Sequence, residues 1–263
     1  MKFSLDFHDE QNLGFRPMLM QRDLSFVQDR LGRIEGWLLD GAALMTLALL
    51  RAQEQAGISG FAFEIGVFRG KYLSVLYQGT LDAGDRVVGV DTFEWSTQEE
   101  TLANFTAAFG EHDRLTLFKQ SSRTLGTETI LEAGGGRKPR FVSVDGDHTA
   151  DAVHADLILC SALLGERGII AIDDFLNPHA IGVSEGAYRF LLGAEGASFK
   201  PFAYCQNKLF VCRSEDHAFY LEQAWAFCDE HADLPALAGF HGMLKNGRHW
   251  VEQTLLSAKC LIV

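Results

Sequence analysis

Residues 141–175, FVSVDGDHTADAVHADLILCSALLGERGIIAIDDF, constrain the fold of this chain more than any other stretch. Two short apolar runs, 141–144 and 168–172, each stop abruptly in acid: Asp145-Gly146-Asp147-His148 after the first, Asp173-Asp174 after the second. Between them a helical period puts Val153, Leu157, Cys160 and Leu164 on one face. Strand, helix and strand in that order predict a right-handed βαβ crossover between neighbouring parallel strands. Strands buried on both faces read as continuous apolar runs, as these do. Their carboxyl ends then lie side by side and bring Asp145, Asp147, Asp173 and Asp174 to the edge where open α/β sheets bind ligands. Carboxylates so crowded repel one another unless a cation neutralises them. Their all-oxygen donor set points to Mg²⁺, Mn²⁺ or Ca²⁺ rather than zinc. Helix capping is the plain alternative, with Thr149 placed to cap the following helix. Capping needs one residue, however, and two acids stand at each strand end.

The rest of the chain extends this pattern. Residues 38–56 read as a helix, with Leu38, Ala42, Met45, Leu49 and Ala52 in register and Gly57 as its stop. Residues 61–65 read as a buried strand, followed by the turn Gly66-Val67-Phe68-Arg69-Gly70 and a helix carrying Tyr72, Val75 and Leu76. Strands are predicted at 86–90, ending at Asp91, and at 115–118, leading to Gln120-Ser121-Ser122. Helices are predicted at 97–109, 124–133 and 183–192. The basic run Arg137-Lys138-Pro139-Arg140 reads as a solvated loop. Residues 199–205 and 209–212, joined by Gln206-Asn207-Lys208, form an expected antiparallel hairpin, and 217–230 an amphipathic helix. Alternation of strand and helix five times, then a hairpin, predicts a doubly wound α/β sheet with helices on both faces.

Composition narrows the partners. The chain has 263 residues, a formal net charge of -12, 47% hydrophobic and 22% charged residues. One α/β domain with terminal additions fits that length. The acidic surface argues against nucleic acid or an anionic membrane as a partner. No apolar run is long enough to span a bilayer, and the start MKFSLDFHDE does not read as a signal peptide. The five cysteines lack CxxC spacing and are expected to be free, mostly buried thiols in a cytoplasmic protein. Residues 1–35, rich in aromatics and methionine, fit a lid, an oligomer contact or a cover over the core.

The glycine turn after the first strand lacks the GxGxxG spacing of dinucleotide-binding folds. It allows the backbone to approach a ligand, with a helix amino terminus behind it. Asp91, about twenty residues on, is placed to accept hydrogen bonds from ribose hydroxyls, or to serve as a surface acid. No GxSxG elbow and no P-loop are present, and the histidines form no HExxH pair.

The motifs EIGVFRG, VVGVDTF, VSVDGDH and IIAIDDF, in this order and spacing, resemble those of class I S-adenosylmethionine-dependent methyltransferases. Among these the chain is similar to the metal-dependent macrocin- and mycinamicin-type sugar O-methyltransferases, and more distantly to catechol O-methyltransferase. The resemblance covers roughly residues 38–213. It implies a mostly parallel Rossmann-like sheet of seven strands, the last antiparallel. The chain is divided into an N-terminal helical or lid segment (1–57), a cofactor-binding core (58–214) and a C-terminal helical extension (215–263). The two terminal segments, which match nothing in the family, are expected to set substrate choice. The resemblance implies that Glu64, Gly66 and Gly70 line the methionine and ribose of S-adenosylmethionine, that Asp91 holds the ribose hydroxyls, and that Gln120 and Ser121 lie near the adenine. Asp145, Asp173 and Asp174 would ligate Mg²⁺ or another hard divalent cation, and Asp147, ranked ahead of His148, would be the catalytic base. The catechol branch carries Asp-Asn as its second pair, so Asp173-Asp174 favours the sugar branch.

The expected activity is methyl transfer to a hydroxyl of a small-molecule acceptor, a sugar or other natural product. Phe93, Trp95, Phe175 and His179 follow strand ends and are either acceptor-pocket walls or ordinary packing residues. Two other classes compete: a nicotinamide-dependent oxidoreductase or epimerase, and a non-catalytic methyltransferase-like module. The missing GxGxxG counts against the first, and acids at every expected position count against the second.

Overall fold

A computed structural model describes residues 19–238 and 250–263. The N-terminal stretch 1–18, where much of the expected lid falls, lies outside the described residues, as does 239–249. A short helix α1 (Gln21–Ser25), with a π-helical turn and a 3₁₀ turn behind it, leads to α2 (Asp40–Gln55). The chain then alternates: β1 (Phe61–Ile65), α3 (Lys71–Gly79), β2 (Val87–Asp91), α4 (Gln98–Phe109), β3 (Leu115–Lys119), α5 (Thr127–Ala133), β4 (Pro139–Val144), α6 (Ala150–Leu163), β5 (Ile169–Ile172) and α7 (Ile181–Leu192). The hairpin β6 (Phe199–Cys205) and β7 (Lys208–Arg213) follows, then α8 (His217–Glu230), the short α9 (Pro235–Ala238) and a second hairpin, β8 (Val251–Leu255) and β9 (Ala258–Ile262).

One sheet runs in the order β3-β2-β1-β4-β5-β7-β6-β9-β8. The five strands β1 to β5 are parallel, and β7 is antiparallel to its neighbour β5. The chain reverses its direction of winding between β1 and β4, where such sheets open a crevice at their carboxyl ends. The sheet has nine strands where seven were expected. The extra pair comes from the C-terminal segment read as helical, because β9 pairs in parallel with β6 and carries β8 with it. Along β8 only Glu252 and Leu255 are partly covered and the other three residues are exposed, so no alternating pattern marks the strand in the sequence.

Strand alternation sends Ala62 and Glu64 to one face and Phe61, Phe63 and Ile65 to the other. On the first face pack α2, α3 and α8, through Leu47, Leu50, Leu73, Leu76, Tyr220 and Phe227. On the second pack α5, α6 and α7, through Ile130, Leu157, Cys160, Val183 and Phe190. The α2 helix is buried continuously from Gly41 to Gln53, more than a single helical stripe predicts, because α8 and α3 cover the flanks of its sheet-facing side. All five cysteines are free and buried.

Of the basic run 137–140, Arg137 and Lys138 lie in an exposed loop as expected, but the second half does not. Pro139 and Arg140 begin the strand, and Arg140 is wholly buried. Its guanidinium reaches Asp85 at 3.0 Å, Glu54 at 3.2 Å and the Leu50 carbonyl at 3.0 Å. Burying a cation is tolerated where anions and carbonyls replace its water, and here they come from α2 and from the loop before β2. Among the described residues, no helix is long and apolar enough to cross a membrane.

Candidate active site

The parallel register sets the acids in a row. Ile65 pairs with Val144 and Val144 with Ile172, so Gly66, Asp145 and Asp173 stand level one step beyond the ends of β1, β4 and β5. Ile172 pairs with Leu209 in β7, so the next antiparallel step sets Lys208 opposite Asp173. Side chains at these positions share the sheet face of Glu64, two residues deeper in β1.

Gly66 has φ +86°, and a Cβ there would lie 1.8 Å from the Asp145 carbonyl oxygen. Only glycine lets the β4–α6 loop cross this closely. Gly70 caps α3 with φ +81° and faces Thr101 and Phe105 of α4. Between the two glycines, Asp91 pins the turn. Its Oδ2 accepts from the Val67 and Phe68 N–H groups at 2.7 Å each, and its Oδ1 from Phe93 N–H at 2.6 Å. Gln120 and Ser121 follow β3, half-buried, at the same edge. Ser122 donates to Asp156 of α6 at 2.7 Å.

Asp173 and Asp174 are sequence neighbours with different surroundings. Asp173 is 5% exposed, and its Oδ2 lies 2.8 Å from the ammonium of the fully buried Lys208. Asp174 has φ +54°, a left-handed conformation that short polar residues tolerate and that turns the chain directly after β5. Its Oδ1 accepts from Asn177 at 2.7 Å and Asn207 at 3.2 Å, while its Oδ2 lies 3.4 Å from His148 Nε2. The same imidazole nitrogen lies 3.7 Å from Asp145 Oδ1. One ligand atom each of Asp145, His148 and Asp174 therefore falls within 4.8 Å of the others. Asp147 is exposed, and its Oδ1 accepts from the Thr149 N–H at 2.8 Å. The loop is thus capped by Asp147, while Thr149 occupies the N-cap position of α6 without a side-chain cap of its own.

The electrostatics follow from burial and from these neighbours. Burial and the nearby Asp145 hold the Glu64 carboxyl protonated well above the ordinary range. Burial and the facing Asp173 do the same to Asp145. Burial also acts to raise Asp173, but the Lys208 ammonium outweighs it and keeps that carboxyl low. Lys208 is disfavoured by burial, yet the charges of Asp173 and Asp145 hold its ammonium protonated. The neighbouring Asp145 carboxyl raises the His148 imidazole, and the Thr149 N–H lowers Asp147. Glu64 Oε2 and Asp173 Oδ1 are buried without a hydrogen-bond partner among the described residues. Ligand atoms of Asp145, His148 and Asp174 converge within 4.8 Å beside this excess of acid, and carboxylate oxygens so placed suit a hard cation, so the donor set fits the divalent metal that the resemblance implies.

Of the aromatic candidates, Phe93 and Phe175 are packing residues, the latter meeting Tyr188 and Tyr204 edge-on. Trp95 is 88% exposed, and His179 is also at the surface. Sequence reasoning missed Lys208, Asn207 and Trp37, whose ring, 87% exposed, stacks on Phe68 at 5.6 Å. Lys208 had a usable signal, since a predicted hairpin beside β5 must set some residue opposite Asp173.

Residues 63–175 match the family described as a methyltransferase domain. That stretch, less than half of the chain, is what is similar to a methyltransferase domain. The solved structures similar to this chain share its fold. CalS11, described as a TDP-rhamnose 3'-O-methyltransferase of calicheamicin biosynthesis, is 20% identical with a TM-score of 0.52 over 73% of this chain and 86% of that one. The O-methyltransferase NovP is 14% identical with a TM-score of 0.53 over 66% and 80%. An O-methyltransferase from Bacillus cereus, in complex with SAH, is 15% identical with a TM-score of 0.51 over 74% and 91%. No curated protein matches the sequence.

Proposed function

We propose that this protein is a methyltransferase that uses S-adenosylmethionine and a hard divalent cation, Mg²⁺ in the first instance, to methylate a hydroxyl of a small molecule, a sugar or another natural product. The observation that carries the reading is the convergence of Asp145, His148 and Asp174 at the carboxyl edge of the sheet. The TDP-rhamnose 3'-O-methyltransferase activity described for CalS11 and the SAH bound to the Bacillus cereus enzyme point the same way.

In this reading Glu64, Gly66 and Gly70 flank the methionine and ribose of the cofactor, and Gln120 and Ser121 its adenine. A carboxylate offers about four lone-pair directions. Asp91 spends three of them on backbone N–H groups, which leaves one for a ribose hydroxyl. Asp145 and Asp174 would hold the cation, which when bound supplies Lewis-acid polarisation of the acceptor hydroxyl. His148, beside both carboxylates, takes the acceptor's proton. The protein's remaining task is to align acceptor oxygen and methyl group and to keep water out.

The test is transfer of an isotopically labelled methyl group to a panel of nucleotide sugars, glycosylated natural products and catechols, before and after chelation. The expected result is transfer to an oxygen that stops on chelation and returns with Mg²⁺. Transfer indifferent to chelation removes the cation from the reading, and transfer only to nitrogen overturns the hydroxyl acceptor.

A further inference from the structure

Lys208 is the buried cation of this site, and nothing in the motifs announces it. Its ammonium is wholly buried and lies 2.8 Å from Asp173 Oδ2 and 3.9 Å from the centroid of the Tyr72 ring. Tyr72 is fixed in turn by its hydroxyl, 2.8 Å from Thr46 Oγ1. Taking an ammonium out of water costs several kcal/mol even after relaxation, about what a well-placed carboxylate and an aromatic face return. The backbone holds the lysine in place. The two-residue turn Gln206-Asn207 is anchored on both sides, through Ala42 N–H to Gln206 Oε1 at 3.1 Å, Gln206 Nε2 to the Ala236 carbonyl at 2.9 Å, and Gln206 N–H to the Val263 carbonyl at 3.0 Å. The same turn presents Asn207 to Asp174 and Lys208 to Asp173, so one hairpin sets both acids of the pair.

We infer that Lys208 is a built-in counter-ion that withdraws Asp173 from the cation's ligand set, leaving Asp145 and Asp174 as the carboxylates that hold the ion. This deepens the proposed function and rests on its divalent cation. Three carboxylates and Glu64 share one region, and the lysine neutralises the innermost of the three. Mg²⁺ is commonly held by one or two carboxylates and keeps its other positions for water and substrate oxygens. Two ligands therefore suffice, and a third would take up a position an acceptor needs. Lys208 is a positioning residue here: it acts through Asp173 and does not touch the acceptor.

The experiment uses the full chain, stripped of metal and without cofactor, with Mn²⁺ as the probe. Anomalous scattering from Mn²⁺-soaked crystals locates the ion, and a paramagnetic-resonance titration gives its affinity. The expected ion contacts Asp145 and Asp174 while the Lys208–Asp173 pair stays closed. In the titration, Asp174→Asn weakens Mn²⁺ by about tenfold or more. The double variant Asp173→Asn with Lys208→Met, which removes a neutral pair and so avoids stranding a buried charge, stays within about threefold of the wild type. An Asp173 oxygen in the ion's coordination shell, with the lysine displaced, overturns the inference but keeps the cation. Absence of any bound Mn²⁺ in the wild type removes the cation itself, and the inference with it.

Discussion

His148 and Asp147 are adjacent, but the loop gives them different work. Asp147 spends an oxygen on the Thr149 N–H at the entry to α6, whereas His148 sits between Asp145 and Asp174. His148→Ala is expected to slow methyl transfer by about 10²-fold or more, the scale of a lost general base. Its Mn²⁺ affinity should stay close to that of the wild type. A parallel collapse of Mn²⁺ binding in the same titration would make the imidazole a ligand and end its assignment as base. The residue types at this edge were readable in sequence, since acids at the ends of two neighbouring apolar runs have few other uses. Their division of labour was not, because it depends on the left-handed turn at Asp174 and on a lysine 35 residues further along from Asp173.

Among the elements, the tie between α1, α2 and α3 is sensitive to acid. Asp23 of α1 accepts from Arg51 of α2 at 2.9 and 3.1 Å and from Gln78 of α3 at 2.9 Å, and both charged groups are buried. Burial acts to raise the Asp23 carboxyl, but the bonds from Arg51 and Gln78 outweigh it and leave it below the ordinary carboxylate range. A depressed carboxyl contributes stability that is fully present above the unfolded value and lost as pH falls through the folded one. Asp23→Ala should therefore cost about 1–3 kcal/mol at neutral pH, because it leaves the Arg51 Nε and Nη2 without their carboxylate while Glu54 and Asp82 still pair with Nη1. In denaturant titrations the gap between wild type and variant should hold steady down to about pH 5 and narrow below about pH 4. A gap that widens on acidification would contradict the pairing. Helix α2 itself was legible from its periodicity, but its nearly complete burial was not: a pattern shows which face seeks the core, and neighbours decide how much else is covered.

At the scale of the whole molecule, the C-terminal hairpin closes the sheet over the edge of β6. Cys260 and Leu261 are fully buried and Val263 nearly so, while Val263 bonds to Tyr204 at 2.8 Å and to Gln206 at 3.0 Å, directly beside the turn that carries Asn207 and Lys208. Deleting residues 250–263 is expected to lower stability by several kcal/mol, at about 1.5–3 kcal/mol for each large apolar side chain uncovered. It also leaves β6 as an open edge prone to pairing with other chains. A lower melting midpoint together with higher-order species in size-exclusion chromatography would bear this out, and an unchanged melt would refute it.

The alternation of apolar runs with helical periods was enough to specify a doubly wound sheet, its first strand at residues 61–65 and the edge where the acids gather. Those are local properties: a period of two or 3.6 residues and a run's abrupt end in aspartate survive without knowledge of neighbours. The ninth strand, the burial of Arg140 and the pairing of Asp173 with Lys208 have no local signature. Each depends on which strand lies beside which and in what register. That choice is made by the packing of α2, α8 and the C-terminal hairpin against the sheet, through contacts between residues far apart in the chain.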